Sequence, residues 1–431
     1  MKKLNICIAG LGNVGSNVVL TIQKNNLFIK TKSSLLINIV GISAKNKSKK
    51  RICDTDNYTW YDNPLDLLNI KNNNVLIELI GNEKGLSFNL IKKALEKKIH
   101  VVTANKALLA KNGNELFQIA EKNNVLLLFE AAVAGGIPII KTLKNNIFLN
   151  KIIKISGILN GTTNYILSKM EDDNLNFDKA LKEAQTKGYA ELDPINDIDG
   201  FDAAHKLTIL STICFGSEIE FSHNDISGIS NIQIEDIINA KKLGYKIKLI
   251  SESSIINNKI SCITEPKLIK IENPLAKVNG VLNAININTD QLENLFLEGE
   301  GAGGKATASS VISDLYEISL NSNLTSLGYK VSSLKSFTKL DSVDKESSYY
   351  IRIMSKDIPG VLSKITSYFN ESGISIEKIL QLPESITNNL PIPIIISTHK
   401  VKKSLLIYAI KQIEKLDFVT NKIIIMNIDK N

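Results

Sequence analysis

Cysteine is scarce in this chain. Four occur among 431 residues, Cys7, Cys53, Cys214 and Cys262, each alone and with no Cys-x-x-Cys. That spacing argues against a disulfide framework or a zinc knuckle and fits a reducing cytoplasm. Aromatic residues make up 6%, and no basic stripe is interleaved with them, so the net charge of +8 does not point to nucleic acid. Lysine accompanies asparagine and isoleucine throughout, as a general compositional bias would leave it. No segment is long and apolar enough to span a bilayer, so no membrane role is expected. The start, Met-Lys-Lys-Leu-Asn-Ile-Cys-Ile-Ala-Gly, is interrupted by Asn5 and passes at once into a glycine-rich turn, unlike a signal peptide. One further absence is local: between Gly15 and Asp54 there is no Asp or Glu.

What is present is the composition of a globular protein, 43% hydrophobic and 22% charged. The length is too great for one core, so two or three domains are expected. Leu4, Ile6 and Ile8 alternate toward Gly10 as in a short strand. Then Gly10-Leu11-Gly12-Asn13-Val14-Gly15 leads into the apolar Val18-Val19-Leu20. Gly-x-Gly-x-x-Gly between strand and helix permits a tight turn and brings bare backbone against a pyrophosphate at a helix N-terminus. Strand-like runs recur at 35–42, 75–80, 100–103 and 125–129, with helical stretches at 88–98 and 114–122. Alternating strands and helices predict a doubly wound parallel sheet, a Rossmann-type α/β domain over residues 1–130.

The acid that would grip the ribose 2′-hydroxyl of NAD at the end of the second strand is the one missing. Lys45, Lys47, Lys49, Lys50 and Arg51 follow that strand instead, which favours NADP(H) over NAD(H). A solvated lysine-rich loop is the bland alternative.

A second dense region is Gly188-Tyr-Ala-Glu-Leu-Asp-Pro194, followed by Asp197 to Lys206. Acids gathered where a loop enters an apolar helix suit a small cationic group. Asp202 and Lys206, four apart, share a helix face, and Glu191 reaches the same region from the loop. An ordinary exposed ion pair would have the same spacing.

Taken together, the motifs resemble those of homoserine dehydrogenases. Gly10 to Gly15, Thr103-Ala-Asn-Lys106, Glu130-Ala-Ala-Val-Ala-Gly-Gly-Ile-Pro138, Leu159-Asn-Gly-Thr-Thr-Asn164, the 188–206 cluster and Gly301-Ala-Gly-Gly304 with Thr307-Ala-Ser309 occur in that family's order. The resemblance spans about residues 1 to 320. It implies a catalytic domain over 131–300, with the dinucleotide domain completed by 301–320. It implies Lys206 as proton donor to the oxygen of L-aspartate 4-semialdehyde and Lys106 at the nicotinamide end, touching cofactor and substrate. It places the substrate ammonium on Glu191, with Asp202, the third of the catalytic residues, assisting, and Tyr189, Gly161 and Thr162 lining the pocket. The cofactor is implied to lie on Gly10, Leu11, Gly12, Asn13, Val14, Gly15, Thr103, Lys106, Gly188 and Gly304, with Lys45 toward the phosphate.

The family also implies a sodium site at Glu130 and the carbonyls of Val133, Gly135 and Ile137. Carbonyls with one carboxylate suit a hard monovalent cation, and a glycine hinge reads equally well from the residues. One departure is Ala306, where the family usually has proline before Thr-Ala-Ser.

Residues 321–347, rich in serine, lysine and threonine, read as a linker. Over 348–427 come a strand (349–355), an Asp357-Ile-Pro-Gly360 turn, a helix (361–371), strands at 374–380 and 393–399, a helix (403–415) and a last strand (419–426). That order, with Ser372-Gly-Ile-Ser-Ile376, resembles an ACT domain, a ferredoxin-like module. It implies an amino-acid effector such as threonine, or else dimerisation alone, the loop at 385–390 departing from any effector pocket. The family reading further implies a homodimer or homotetramer, and no aspartokinase-like segment precedes Met1, so a monofunctional enzyme is expected. The rivals are another amino-acid dehydrogenase of the same architecture, and a sensor built from a retired dehydrogenase and an ACT module. A sensor would be free to lose Lys106, Glu191, Asp202 or Lys206, and all four are present.

Overall fold

A computed structural model describes residues 2–320, 325–341, 343, 345–381 and 391–430. The loop at 385–390 lies outside the described residues. The chain begins β1 (Lys2–Ala9), α1 (Asn13–Ser33), β2 (Leu35–Ser43), β3 (Trp60–Tyr61), β4 (Val75–Glu78), α2 (Leu86–Glu96), β5 (His100–Thr103), α3 (Lys106–Lys122) and β6 (Leu127–Leu128). The strands pair in parallel in the order β3-β2-β1-β4-β5-β6, a doubly wound sheet. The order reverses between β1 and β4, where a crevice opens at the carboxyl ends of the strands. The glycine-rich turn sits at that crevice.

Two glycines of the turn are required by geometry. Gly10 has φ +102°, and a Cβ there would lie 2.5 Å from the carbonyl of Leu79. A Cβ on Gly15 would lie 2.0 Å from the Gly10 oxygen, because the first turn of α1 presses on the loop.

The expected helix at 114–122 is longer in the structure: α3 starts at Lys106, capped by Asn105, whose Oδ1 accepts from Leu108 N at 3.2 Å. Asn112, Gly113 and Asn114 disguise its first half. Gly113 is a packing residue there, since a Cβ would meet Ile219 Cδ1 at 2.4 Å.

The middle of the chain runs α4 (Ile139–Lys141), β7 (Ile152–Ile158), α5 (Gly161–Asp173), α6 (Phe177–Thr186), α7 (Ile195–Ile198), α8 (Phe201–Phe215), β8 (Asn224–Ile226), α9 (Ile234–Lys242), β9 (Tyr245–Ile256), β10 (Lys259–Lys270), α10 (Pro274–Lys277), β11 (Leu282–Thr289) and β12 (Asn294–Glu300). Next, α11 (Gly304–Leu320) returns to the first sheet, where Ala308, Val311 and Leu315 join Val18, Val19 and Ile22 of α1 in one buried cluster. A Cβ on Gly304 would meet Asn17 Nδ2 at 2.1 Å, so the starts of α11 and α1 abut.

Residues 325–341 lie against the body of the protein. Leu327 is buried, Ser326 Oγ accepts from Leu127 N at 2.9 Å, and β13 (Thr338–Lys339) pairs with β10. The carboxyl module follows as β14 (Glu346–Ser355), α12 (Val361–Glu371), β15 (Ile376–Gln381), β16 (Ile392–Thr398), β17 (Val401–Lys402), α13 (Lys403–Ile413) and β18 (Ile424–Asp429). Its strands lie in the order β18-β14-β16-β15, the ferredoxin-like arrangement expected. The last strand begins at Ile424 where 419 was expected, because Val419 only bridges Ser355 and the chain turns before pairing. There β18 pairs in parallel with β10, so one twelve-stranded sheet runs from the middle of the chain into the carboxyl module. Among the described residues, no helix is long and apolar enough to cross a membrane.

Candidate active site

The helix that carries Asp202 and Lys206 is α8. Gly200, φ +86°, precedes it, and a Cβ there would touch the methyl groups of Ile226 and Thr264 at 3.3 Å. From the first turn Asp202 points to a buried junction, and one turn later Lys206 meets it: Lys206 Nζ donates to Asp202 Oδ2 at 2.7 Å and to the Leu159 carbonyl at 2.7 Å. An ammonium has three protons. Two are spent on fixed acceptors, and the third is left to point elsewhere.

Asp202 does more than pair with its helical neighbour. Its Oδ1 lies 3.2 Å from Lys106 Nζ, so the first residue of α3, in the dinucleotide domain, is tied to α8 of the next. Its Oδ2 also accepts from Asn160 Nδ2 at 2.9 Å. Burial by itself would raise this carboxyl, but Lys206, Lys106 and the hydrogen bonds outweigh it and hold Asp202 well below the usual carboxylate range. The same charge pushes the Lys106 ammonium up. Both lysines are thus held beside a permanent anion.

Asn160 was visible only as part of a motif. In the structure it caps α5, its Oδ1 accepting from Thr163 N at 2.8 Å, while its amide also donates to Asp197 Oδ1 at 2.7 Å. One buried side chain therefore fixes a helix start and two carboxylates. Asp197 is raised by burial and by the nearby Asp202 charge. Gly161 follows the cap, and a Cβ there would press on the Val281 oxygen at 2.6 Å.

The loop from Gly188 to Pro194 flanks this junction. Thr162 Oγ1 donates to the Tyr189 carbonyl at 2.7 Å, and the Tyr189 ring lies 5.0 Å from that of Tyr165. Gly188 and Glu191 are exposed; the Glu191 carboxylate adds to the field that raises Lys106. Glu191 is thus brought near Lys106, on the open side of the site.

The crevice beside Gly10, Leu11 and Gly12 is a cavity of about 1180 Å³, also lined by Lys45, Lys47 and Lys49. These three lysines pair with no carboxylate among the described residues. Arg51 plays a different part: it donates to the carbonyls of Leu11, Asn46, Lys47 and Lys49, and its guanidinium lies 5.1 Å from the Trp60 ring. It braces the loop. Asn13 and Val14 open α1.

Glu78, which pattern reading passed over, and Asn105, quoted only within Thr103-Ala-Asn-Lys106, connect this cavity to Lys106. Glu78, fully buried at the end of β4, accepts from Thr103 Oγ1 at 2.7 Å and from the N–H groups of Ile80 and Gly81. Asn105 donates to the Asn82 carbonyl at 2.7 Å while capping α3, so the cavity wall at Asn82 is tied to the helix carrying Lys106. A carboxylate ending a buried strand is the signal that marks Glu78 in the sequence.

At the crossing between domains, Glu130 is buried. Its two oxygens accept from Ile140 N and Lys141 N, both at 2.9 Å. Burial and the charge of Asp314 push its carboxyl up to about 7. The carbonyl of Gly135 accepts from Ser310 Oγ at 2.6 Å, and that of Ile137 from Ile139 N at 2.8 Å. Ala134 and Gly135 both have positive φ. One carboxylate with backbone carbonyls is the kind of oxygen donor set a hard cation would take, and here Glu130 and the Gly135 and Ile137 carbonyls hold hydrogen bonds within the protein.

Comparison with known proteins agrees with this geometry. Residues 10–130 match the family model "Homoserine dehydrogenase, NAD binding domain", residues 138–316 match "Homoserine dehydrogenase", and residues 349–417 match "ACT domain". The chain is 38% identical over 436 aligned positions to the homoserine dehydrogenase of Neisseria gonorrhoeae, covering 100% of this chain and 99% of that one. Among solved structures, a homoserine dehydrogenase from Thiobacillus denitrificans superposes with a TM-score of 0.93 at 36% identity, covering 99% and 98% of the two chains. A hyperthermophilic archaeal homoserine dehydrogenase mutant in complex with NADPH has a TM-score of 0.63 at 30% identity, covering 74% of this chain and 98% of its own.

Proposed function

This chain belongs to the homoserine dehydrogenase family, and from that premise we propose that it interconverts L-aspartate 4-semialdehyde and L-homoserine with NADP(H) in preference to NAD(H), in threonine and methionine biosynthesis. The observation that carries the mechanism is the Asp202 carboxylate gripping Lys206 and Lys106 from two domains at once. When bound, the nicotinamide supplies the hydride. Lys206 uses its remaining N–H to polarise the aldehyde oxygen and then to protonate the developing alkoxide. Lys106 sets cofactor and substrate edge to edge, and Glu191 takes the substrate ammonium as a charge-assisted pair. Tyr189, Gly161 and Thr162 line the substrate side, and Gly188 and Gly304 bound the cofactor.

Preference for NADP(H) is supported by the unpaired lysines of the cavity and by the lack of an acid between Gly15 and Asp54, and the archaeal relative is an NADPH complex. A hydrogen bond to a charged group contributes about 1.5–3 kcal/mol. Neutralising Lys45 with Lys47 should therefore weaken NADP(H) roughly tenfold or more and leave NAD(H) nearly unchanged; equal losses in direct binding titrations would remove the lysines from phosphate recognition.

The same reading places a sodium ion at Glu130 and the carbonyls of Val133, Gly135 and Ile137, where it would stiffen the domain crossing. It assigns the carboxyl module an amino-acid effector, threonine as the pathway product, near the open glycines Gly360 and Gly373. Assembly as a homodimer or homotetramer and residence in the cytoplasm complete it; the four cysteines are all free and buried.

A further inference from the structure

One buried cation takes no part in the chemistry assigned to the two lysines. Lys248 of β9 is 1% exposed and pairs with no carboxylate among the described residues. Burial and the neighbouring Lys246 ammonium push it down to about 8, against an opposing pull from Glu171 and Asp172. Glu171 itself is taken by Lys246 at 3.0 Å. The three protons of Lys248 all go to neutral oxygens: Asn164 Oδ1 at 3.0 Å, the Val278 carbonyl at 2.6 Å and Asn279 Oδ1 at 3.1 Å. A buried ammonium without a counter-ion is costly, and here every proton is bonded in return. An apolar side chain of similar size would fill the space without that cost, but it could not join three segments of chain.

Asn164, also 1% exposed, is the link toward the site. While its oxygen accepts from the ammonium, its amide donates to the Val278 carbonyl at 3.2 Å and to the Leu282 carbonyl at 3.1 Å. The first turn of α5 is thereby strapped to the stretch 278–282 that joins α10 to β11. Further along α5, Ser168 Oγ accepts from Gly280 N at 3.2 Å, and Gly161 lies so close to the Val281 oxygen that no side chain would fit. The same end of α5 carries Asn160, which holds Asp202 and Asp197, and Thr162, which holds the Tyr189 carbonyl. A helix start fixed by Lys248 and Asn164 keeps those groups at fixed positions.

We propose, on the reading that this pocket takes homoserine, that Lys248 is a positioning residue for its substrate side: through Asn164 it holds the start of α5, where Gly161 and Thr162 line the pocket. Lys248 touches neither substrate nor cofactor, and the dinucleotide crevice is built from other elements. Its loss is therefore felt by homoserine and not by NADP.

The test is steady-state kinetics of the full chain with L-homoserine and NADP, comparing wild type, Lys248→Met, Asn164→Ala and the double variant, each checked for folding by circular dichroism. Lys248→Met should raise the homoserine KM roughly tenfold and leave the NADP KM unchanged. Because the two side chains act in series, the double variant should be no worse than the weaker single one, where independent effects would multiply. An unchanged homoserine KM in Lys248→Met, an equal rise in both KM values, or losses that multiply would overturn the role. Should Lys248→Met not fold, Asn164→Ala decides alone: a rise confined to the homoserine KM supports the role, and no rise, or an equal rise for NADP, overturns it. A wild type that turns over no homoserine would instead remove the reading of the pocket, and the role with it.

Discussion

Single residues decide the chemistry here because so few of them are asked to do several jobs. Asp202 orients two lysines, and Asn160 orients Asp202, Asp197 and a helix start. Glu130 is the counter-example, a buried carboxylate whose own surroundings do not suit its charge. Its folded-state value is pushed from 4.5 up to about 7 by burial and Asp314, so the fold favours its protonated form. The stability it contributes is full below about pH 4.5 and is lost as pH rises through about 7. A cation at Glu130 would restore the ionised form. Sodium chloride should therefore raise the melting temperature by roughly 1–2 °C or more near pH 8 and hardly at all near pH 5, compared with choline chloride. A rise that is equal at both pH values, or equal with choline, would mean that no cation sits on this carboxylate.

Among the elements, the glycine-rich turn and the helices of the carboxyl module were legible because their signals are local. Gly10 and Gly15 announce a turn that only glycine permits, and α12 occupies Val361–Glu371 as its pattern predicts. The start of α3 was not legible, because Asn112-Gly113-Asn114 carries the composition of a break while Gly113 answers to Ile219, a contact more than a hundred residues away. Glu78 was missed because its partner Thr103 is set beside it by the pairing of β4 with β5, and the role of Asn105 was hidden within its motif because its bond to the Asn82 carbonyl spans a long stretch of chain. The contact of α1 with its own turn gives a sharp test. Gly15→Ala places a methyl 2.0 Å from the Gly10 oxygen, so loop or helix must shift. The expected cost is about 1–3 kcal/mol of stability together with weaker cofactor binding. Unchanged denaturation midpoints and unchanged cofactor affinity would show that the turn is looser than this packing implies.

In the whole molecule, the carboxyl module is a continuation of the catalytic sheet and is also clasped to it by side chains. Arg352 of β14 meets Asp236 of α9 through Nε at 2.7 Å and Nη2 at 3.1 Å, and Tyr350 donates to the same carboxylate at 2.9 Å. All three side chains are buried. Removing one partner of such a pair costs about 3–5 kcal/mol, because the other charge is stranded. Truncation near Ser347 would strand Asp236 and bare one edge of β10, so loss of folding is expected where the sequence alone suggested a separable module. Arg352→Ala should lower stability by that amount in denaturant titrations; a change under about 1 kcal/mol would mean that the clasp is solvated in solution.

The lysine pair at the domain crossing is the centre of the account, and steady-state turnover of L-homoserine with NADP by Lys206→Ala tests it most directly. Loss of a positioned proton donor should lower kcat about a hundredfold or more with little change in cofactor affinity. Lys206→Arg should not restore it, since a guanidinium holds its protons near neutrality. Near-normal turnover in folded Lys206→Ala would contradict the assignment of the proton to this residue.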